Sequence, residues 1–319
     1  MLEFTIFIIF VALIFDFLNG MNDAANSIAT IVSTRVLSPR IAVFWAAFFN
    51  FAAAFGFGVH VATIIGKGIV DPLVVNHELI LSALVGAILW THICTHYGLP
   101  ISVSHSLIGG LAGSAVAKAG FGALIVPGLT KVAIFIVLLI VTWIVKNGSP
   151  SKVDRGFRIG QLISSAAFSL GHGTNDAQKT MGIITILLYT GGYLGAEFYV
   201  PFWVVIIAHT TIAAGTLYGG WKVVKTMGMK LTYLQPIGGF CAETAGAIVL
   251  GGTALAGIPV STTHTVAGAI MGVGSTRRLS AVRWGIAGKI IWAWVLTIPV
   301  SGLVGYGTFS LIDLVIKLF

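Results

Sequence analysis

Apolar residues run through this chain in long blocks, not in the alternating or narrow-faced patterns of a soluble domain. The blocks cover roughly 4–33, 41–65, 79–97, 101–117, 123–145, 159–196, 198–221, 236–256, 258–275 and 284–312. A helix needs about 20 residues to cross a bilayer, so the pattern predicts on the order of ten to twelve membrane segments. The first block carries a polar motif of its own and is read as a span, not as a removable signal peptide. Several blocks are interrupted at mid-depth by Gly, Pro and polar side chains. Backbone leaves the helix inside a bilayer only where protein or a polar cavity surrounds it, so these breaks mark the expected place of a solute. The one hydrophilic linker, Lys146 to Arg158, divides the chain nearly in half.

The two halves resemble each other. Gly20-Met-Asn-Asp-Ala-Ala-Asn-Ser27 returns as Gly173-Thr-Asn-Asp-Ala-Gln-Lys-Thr180, and Gly98-Leu-Pro-Ile-Ser-Val-Ser-His-Ser106 returns as Gly257-Ile-Pro-Val-Ser-Thr-Thr-His-Thr265. Two polar motifs in the same order at nearly the same separation indicate an internal duplication, with one repeat over 1–150 and the other over 151–319. Loop charge gives its geometry. The loop with Arg35 and Arg40 is purely basic, whereas its counterpart near Tyr189 to Tyr199 carries Glu197 and no base. Lys222, Lys225 and Lys230 fall in the following loop of the second half, whose first-half counterpart holds Lys67, Asp71 and Glu78. Equivalent loops therefore lie on opposite sides by the positive-inside rule. The expected fold is an all-α polytopic membrane protein of two inverted repeats, with broken or re-entrant helices meeting at the bilayer midplane and both termini outside.

Composition agrees. Charged residues make up 9% of the 319, against about a quarter in an average soluble domain, and this excludes a water-facing surface. The net charge of +8 does not indicate nucleic acid, because no basic stretch is interleaved with aromatics. Cys94 and Cys241 lie in apolar segments without a CxxC and read as small apolar fillers.

Candidate chemistry resides in the duplicated motifs. Asp23 and Asp176 stand at matching places deep in apolar runs, where each carboxylate costs about 2.5–3.5 kcal/mol and needs compensation. Their neighbours offer oxygen: Asn22, Asn26 and Ser27 beside Asp23, and Asn175, Gln178 and Thr180 beside Asp176. Such oxygens suit a hard cation and not zinc or copper. The second copy is unfaithful, since Lys179 stands where the first has Asn26, and Lys179 could offset Asp176 or an anion. Glu243 is a further acid at depth and a candidate cation or proton site. Asn50 and His209 are weaker candidates, and His172 could shape the second motif.

The other motif pair reads as a helix start, with Pro100 or Pro259 ahead of a hydroxyl cluster and Ser102 or Ser261 as N-cap. Free N–H groups, a partial positive charge and the hydroxyls of Ser104, Ser106, Thr262 and Thr263 make an anion site. His105 and His264 lie in the same runs and either donate to that anion or pack in the core. Gly109 with Gly113, and Gly268 with Gly272, have the spacing that lets a helix approach a neighbour closely. His92 and His96 have metal-ligand spacing without an HExxH, so an intramembrane metalloenzyme is a remote alternative.

On these four motifs together the chain resembles the inorganic phosphate transporter (PiT) family over nearly its whole length. The resemblance implies a symporter without enzymatic activity or cofactor, often dimeric, that carries phosphate with sodium or protons across the cell (inner) membrane. By position it implies cation coupling at Asp23, Asn26, Asp176 and Gln178, with sodium at Asp23, Asn26 and Asp176, and phosphate binding at Ser102, Ser104, Ser261 and Thr263. Lys179 in place of a second Asn and the short linker resemble prokaryotic members. Moving a dianion inward against about 100 mV, negative inside, costs about 4.6 kcal/mol, which two monovalent cations cancel. Amide oxygens bind sodium but do not titrate, which favours sodium over protons. Proton-coupled phosphate or metal-phosphate symport, and sulfate transport, are the alternatives, because hydroxyls and helix ends fit any tetrahedral oxyanion.

Overall fold

The computed structural model describes residues 2–56, 58–125, 150–195 and 197–318. They form helices joined by short turns: α1 (Leu2–Ser33), α2 (Pro39–Ala52), α3 (His60–Lys67), α4 (His77–Tyr97), α5 (Val103–Ala119), α6 (Pro150–Thr190), α7 (Phe202–Tyr218), α8 (Trp221–Lys225), α9 (Pro236–Leu255), α10 (Thr262–Arg277) and α11 (Trp284–Leu318). A π turn, Thr226–Lys230, continues α8. Most of the apolar block 123–145, from 126 on, and residues 146–149 of the linker lie outside the described residues. The rest of that linker, 150–158, is the opening of α6, with Pro150 in the first turn, where proline lacks only a donor the helix would leave unpaired.

Fewer helices among the described residues are long and apolar enough to cross alone than the apolar blocks suggested. Among the described residues α1, α4, α9 and α11 are long and apolar enough to cross, and two bent pairs, Pro39–Phe55 with His60–Lys67 and Phe202–Tyr218 with Trp221–Lys230, bring the number to at most six if each pair is one span. The difference has a physical cause. The blocks at 101–117 and 258–275 became α5 and α10, of 17 and 16 residues, too short to cross alone and folded back on α4 and α9. Gly98 and Gly257 make these reversals with φ of 69° and 68°, the left-handed region where a Cβ is penalised.

Side-chain pairs give the directions. Asp16 meets Thr180, Asp23 lies near His172, and Thr34 meets Gln161, so α1 and α6 run antiparallel. Thr5 meets His77 and Asn22 meets Thr95, so α1 and α4 run parallel. The α4–α5 hairpin opens at the end where α1 begins, with the Lys118 ammonium on the Val74 carbonyl at 2.7 Å. The α9–α10 hairpin opens at the other end, with the Thr232 hydroxyl on the Ala281 carbonyl at 3.0 Å. The two hairpins thus approach from opposite ends and touch at their tips, where Thr263 Oγ1 donates to the Ile101 carbonyl at 2.9 Å.

Two apolar clusters flank the tips. One joins Ile8, Ala12 and Phe15 of α1 to α3, α4, α5 and the end of α6, and the other joins Ala25, Ile28 and Ile31 to α2, α9, α10 and Phe168. Residues Leu2, Ile6 and Phe10 form an outward stripe more than half exposed, as a lipid-facing helix surface requires. The glycine pair of α5 packs as its spacing foretold: a Cβ on Gly109 would lie 2.5 Å from the Ile298 carbonyl of α11, and one on Gly113 would overlap the Gly302 carbonyl.

Charge separates by end. Arg35, Arg158, Gly228, Met229 and residues 232–236 line one cavity of about 920 Å³, and Arg283 reaches the Lys230 carbonyl beside it. The opposite end holds the start of α1 and the end of α11, where Asp313 and Lys317 lie beside Asn76 and Glu78.

Candidate functional site

The centre forms where the antiparallel α1 and α6 cross. Antiparallel packing brings the matching Asn-Asp motifs face to face, so Asp23 and Asp176, both almost fully buried, share one site. His172, one turn before Asp176, lies between them, its Nε2 3.2 Å from Asp176 Oδ2 and 3.8 Å from Asp23 Oδ2. Its Nδ1 faces Asn50 Oδ1 at 3.2 Å, and Asn50 donates to Thr216 at 2.9 Å, so α2 and α7 fix the ring. Among the described residues Asp23, His172 and Asp176 are the one His/Cys/Asp/Glu group close enough to hold a metal ion. His92 and His96 form no such group and are exposed on α4.

The hairpin tips close over this centre. Ser102 and Ser261 are N-caps with nearly the same backbone, φ −83° and ψ 104° or 108°, and accept from the backbone N–H of His105 and His264. An N-cap oxygen that accepts one N–H still has its own hydroxyl hydrogen to donate. Thr262 Oγ1 lies 3.2 Å from Asp23 Oδ2 and 3.1 Å from Asp176 Oδ2, and Thr263 Oγ1 lies 3.1 Å from Asp23 Oδ1. Asn26 donates to Thr263 at 3.0 Å. On the other tip, Ser104 is held by the Lys179 ammonium, which also pairs with Asp176 and reaches the Val260 carbonyl at 3.3 Å.

One hydroxyl hydrogen cannot serve two carboxylates at once, so Thr262 leaves acceptor capacity on the Asp pair. The Oδ1 atoms of Asn22, Asn26 and Asn175 and the Ser27 hydroxyl are likewise buried without a hydrogen-bond partner. Carboxylate and amide oxygens left unsatisfied at depth are the donor set a hard cation needs.

Several candidates lie elsewhere. Gln178 does not join the carboxylates, because residues two apart on a helix point to different sides. Its Oε1 accepts from the Val61 and Ala62 N–H groups at 2.8 and 3.2 Å, and its Nε2 donates to the Gly58 carbonyl at 2.6 Å, so it secures the start of α3. Glu243 sits deeper along α1, accepting from Thr30 at 2.5 Å, Ser164 at 2.7 Å and Gln161 at 3.2 Å. Thr30 is seven residues, about 10 Å of helix, from Asp23, so Glu243 is no ligand of the Asp pair. Ser106 spends its hydroxyl on the Ser102 carbonyl at 3.4 Å, the local back-bond common for membrane hydroxyls. His105 and His264 meet each other, ring centroids 4.9 Å apart, and His264 packs on Trp294 at 4.0 Å. His209 back-bonds to the Val205 carbonyl at 2.9 Å.

Asp16 escaped the sequence reading. It is fully buried and accepts from Thr180 at 2.8 Å, with its second oxygen unpartnered. The signal was its spacing, since seven residues before Asp23 is two helical turns and hence the same face of α1.

The sequence matches the phosphate transporter family over residues 19–145 and 142–305. The chain belongs to that family. A probable low-affinity inorganic phosphate transporter of Rhizobium meliloti (strain 1021) is 56% identical over 97% of this chain and 96% of its own length. One of the same description from Bacillus subtilis (strain 168) is 40% identical over 99% of both chains. A solved structure titled "The sodium-dependent phosphate transporter" superposes with a TM-score of 0.85 at 26% identity, covering 98% of this chain and 99% of that one. The family is one of transport proteins, which sets the intramembrane enzyme aside.

Proposed function

We propose that this protein is a secondary symporter that imports inorganic phosphate together with sodium by alternating access. The observation that supports this best is the meeting of the hydroxyl-lined start of α10 with two carboxylates at Thr262, within 3.2 Å of both Asp23 and Asp176, with the tip of α5 beside it at Ile101. Helix-start N–H groups and hydroxyls bind the anion. Asp23, Asp176 and the unpartnered oxygens of Asn22, Asn26 and Asn175 bind the cation. Opposite charges brought together in a buried site strengthen each other, and the coupling is reciprocal, so sodium raises phosphate affinity as phosphate raises that for sodium. Where phosphate travels as the dianion, the membrane potential calls for at least two sodium ions. The names of the relatives and the solved neighbour, low-affinity phosphate transporters and a sodium-dependent one, support the same substrate pair.

The hairpins, one entering from each end with the centre buried between them, support alternating access. The antiparallel crossing of α1 and α6 at matching residues supports two inverted repeats, 1–150 and 151–319. The basic end with Arg35, Arg158 and Arg283 faces the cytoplasm, which puts both termini outside the inner membrane. A homodimer belongs to this reading through the family resemblance and is checked by the mass of the detergent-solubilised protein.

The deciding experiment is labelled phosphate uptake into proteoliposomes with a sodium gradient or a pH gradient imposed separately. Sodium-driven accumulation is expected. Uptake driven by pH and indifferent to sodium overturns the reading in favour of proton coupling, which the titratable His172 between the two carboxylates would then serve. Competition by sulfate at equal strength would overturn the assignment to phosphate.

A further inference from the structure

The two Asn-Asp motifs are related by position, yet one residue of the second carries a charge that the first lacks. Asn26 and Lys179 occupy the same place, three residues after Asp23 and Asp176. Each reaches from its own helix to the hairpin tip of the other half: Asn26 to Thr262 and Thr263 of α10, Lys179 to Ser104 of α5. The side chain of Lys179 is only 1% exposed. Its ammonium is surrounded by the Asp176 carboxylate, the Ser104 hydroxyl and the Val260 carbonyl, with the last at 3.3 Å. A carboxylate, a hydroxyl and a backbone carbonyl are also the oxygens a small monovalent cation collects. On the Asn26 side the equivalent charge is missing, and the Asn22 and Asn26 carbonyl oxygens lie buried without a partner.

We propose that the Lys179 ammonium is a tethered cation that fills the second-half counterpart of the sodium position beside Asn26. The inference rests on the sodium-coupled reading above and replaces the stoichiometry it gave for the dianion. The pair of motifs takes one sodium from solution instead of two, and the charge-balanced cargo of one sodium is the monoanion of phosphate, H2PO4⁻. A lysine here does more than neutralise Asp176. It fixes, in the covalent chain, a charge that a duplicated Asn would leave to be supplied by the medium.

The test is the sodium-to-phosphate flux ratio in proteoliposomes, measured with both ions labelled. Lys179→Asn should raise the ratio by one sodium per phosphate and steepen the sodium dependence of uptake, while Asn26→Lys should lower the ratio by one. A ratio unchanged in a transporting Lys179→Asn variant overturns the proposal and leaves Lys179 as an ion-pair partner only. If the variant does not transport, thermal unfolding of the purified protein against sodium concentration carries the test. Lys179→Asn should gain more stabilisation from sodium than the parent does, because each added site contributes its own binding term, and an equal response overturns the proposal. Failure of the sodium reading is separable. If the parent ignores sodium altogether, that reading falls, and the tether stands only if Lys179→Asn acquires sodium dependence.

Discussion

The two hairpin tips have almost the same backbone and opposite treatments of charge. Ser102 and Ser261 cap their helices with matching angles, and each is preceded by a left-handed glycine and a proline. The α10 tip then sets the Thr262 hydroxyl between both carboxylates and that of Thr263 beside Asp23, whereas the α5 tip gives Ser104 to an ammonium. The two motif copies share the frame that presents a helix start to the centre. They differ in the side chains that set the charge beside it. In a buried site geometry tolerates little change, but one residue can alter the electrostatics by a full charge.

Exchanging the carboxylates tests this asymmetry most strongly. Asp23→Asn and Asp176→Asn should both abolish coupled uptake, but only Asp176→Asn strands an ammonium, at a cost of about 3–5 kcal/mol. Thermal unfolding should therefore separate two variants that uptake assays cannot, and equal losses of stability would break the comparison. Next is Thr262→Val, which removes the hydroxyl between the carboxylates and should cost about 1–3 kcal/mol with a large fall in phosphate uptake. Thr265→Val, whose hydroxyl only back-bonds to the Ser261 carbonyl, should leave uptake near normal. Gln178→Ala should lower stability by about 1–2 kcal/mol through loss of its hold on α3. Its sodium dependence should stay that of the parent, in contrast to Asn26→Ala, and a weakened sodium response in Gln178→Ala would return that amide to the cation site. The smallest effect, about 1 kcal/mol each, is expected for Ser102→Ala and Ser261→Ala measured by unfolding. Unequal values would show that the caps are less alike than their angles.

Much of the site was legible in the motifs. Asp23, Asp176, Asn26 and the threonines of the second tip meet as their duplication implied, because an acid at depth must find partners and the other polar motif holds the available hydroxyls. Gln178 was misplaced because adjacency in a motif says nothing of direction around a helix. Glu243 stands apart from the Asp pair for another reason: three neutral donors, Thr30, Gln161 and Ser164, hold it, and no sequence pattern foretells them. Asp16 went unseen because its partner, Thr180, is remote in sequence.

The order of apolar blocks, the sparse charge and the repeated motifs determined by themselves that this chain enters a membrane, that its halves carry matching motifs, and that its buried polar groups are mainly carboxylates, amides and hydroxyls. These follow from the cost of polar groups in hydrocarbon, which depends on residue type alone. Which oxygens face each other, which helices stop halfway, and that Lys179 lies between Asp176 and Ser104 were decided only by the crossing of α1 and α6 and by the meeting of the hairpin tips. Contact between residues distant in sequence depends on the direction and rotation of packed helices, and a linear pattern does not contain them.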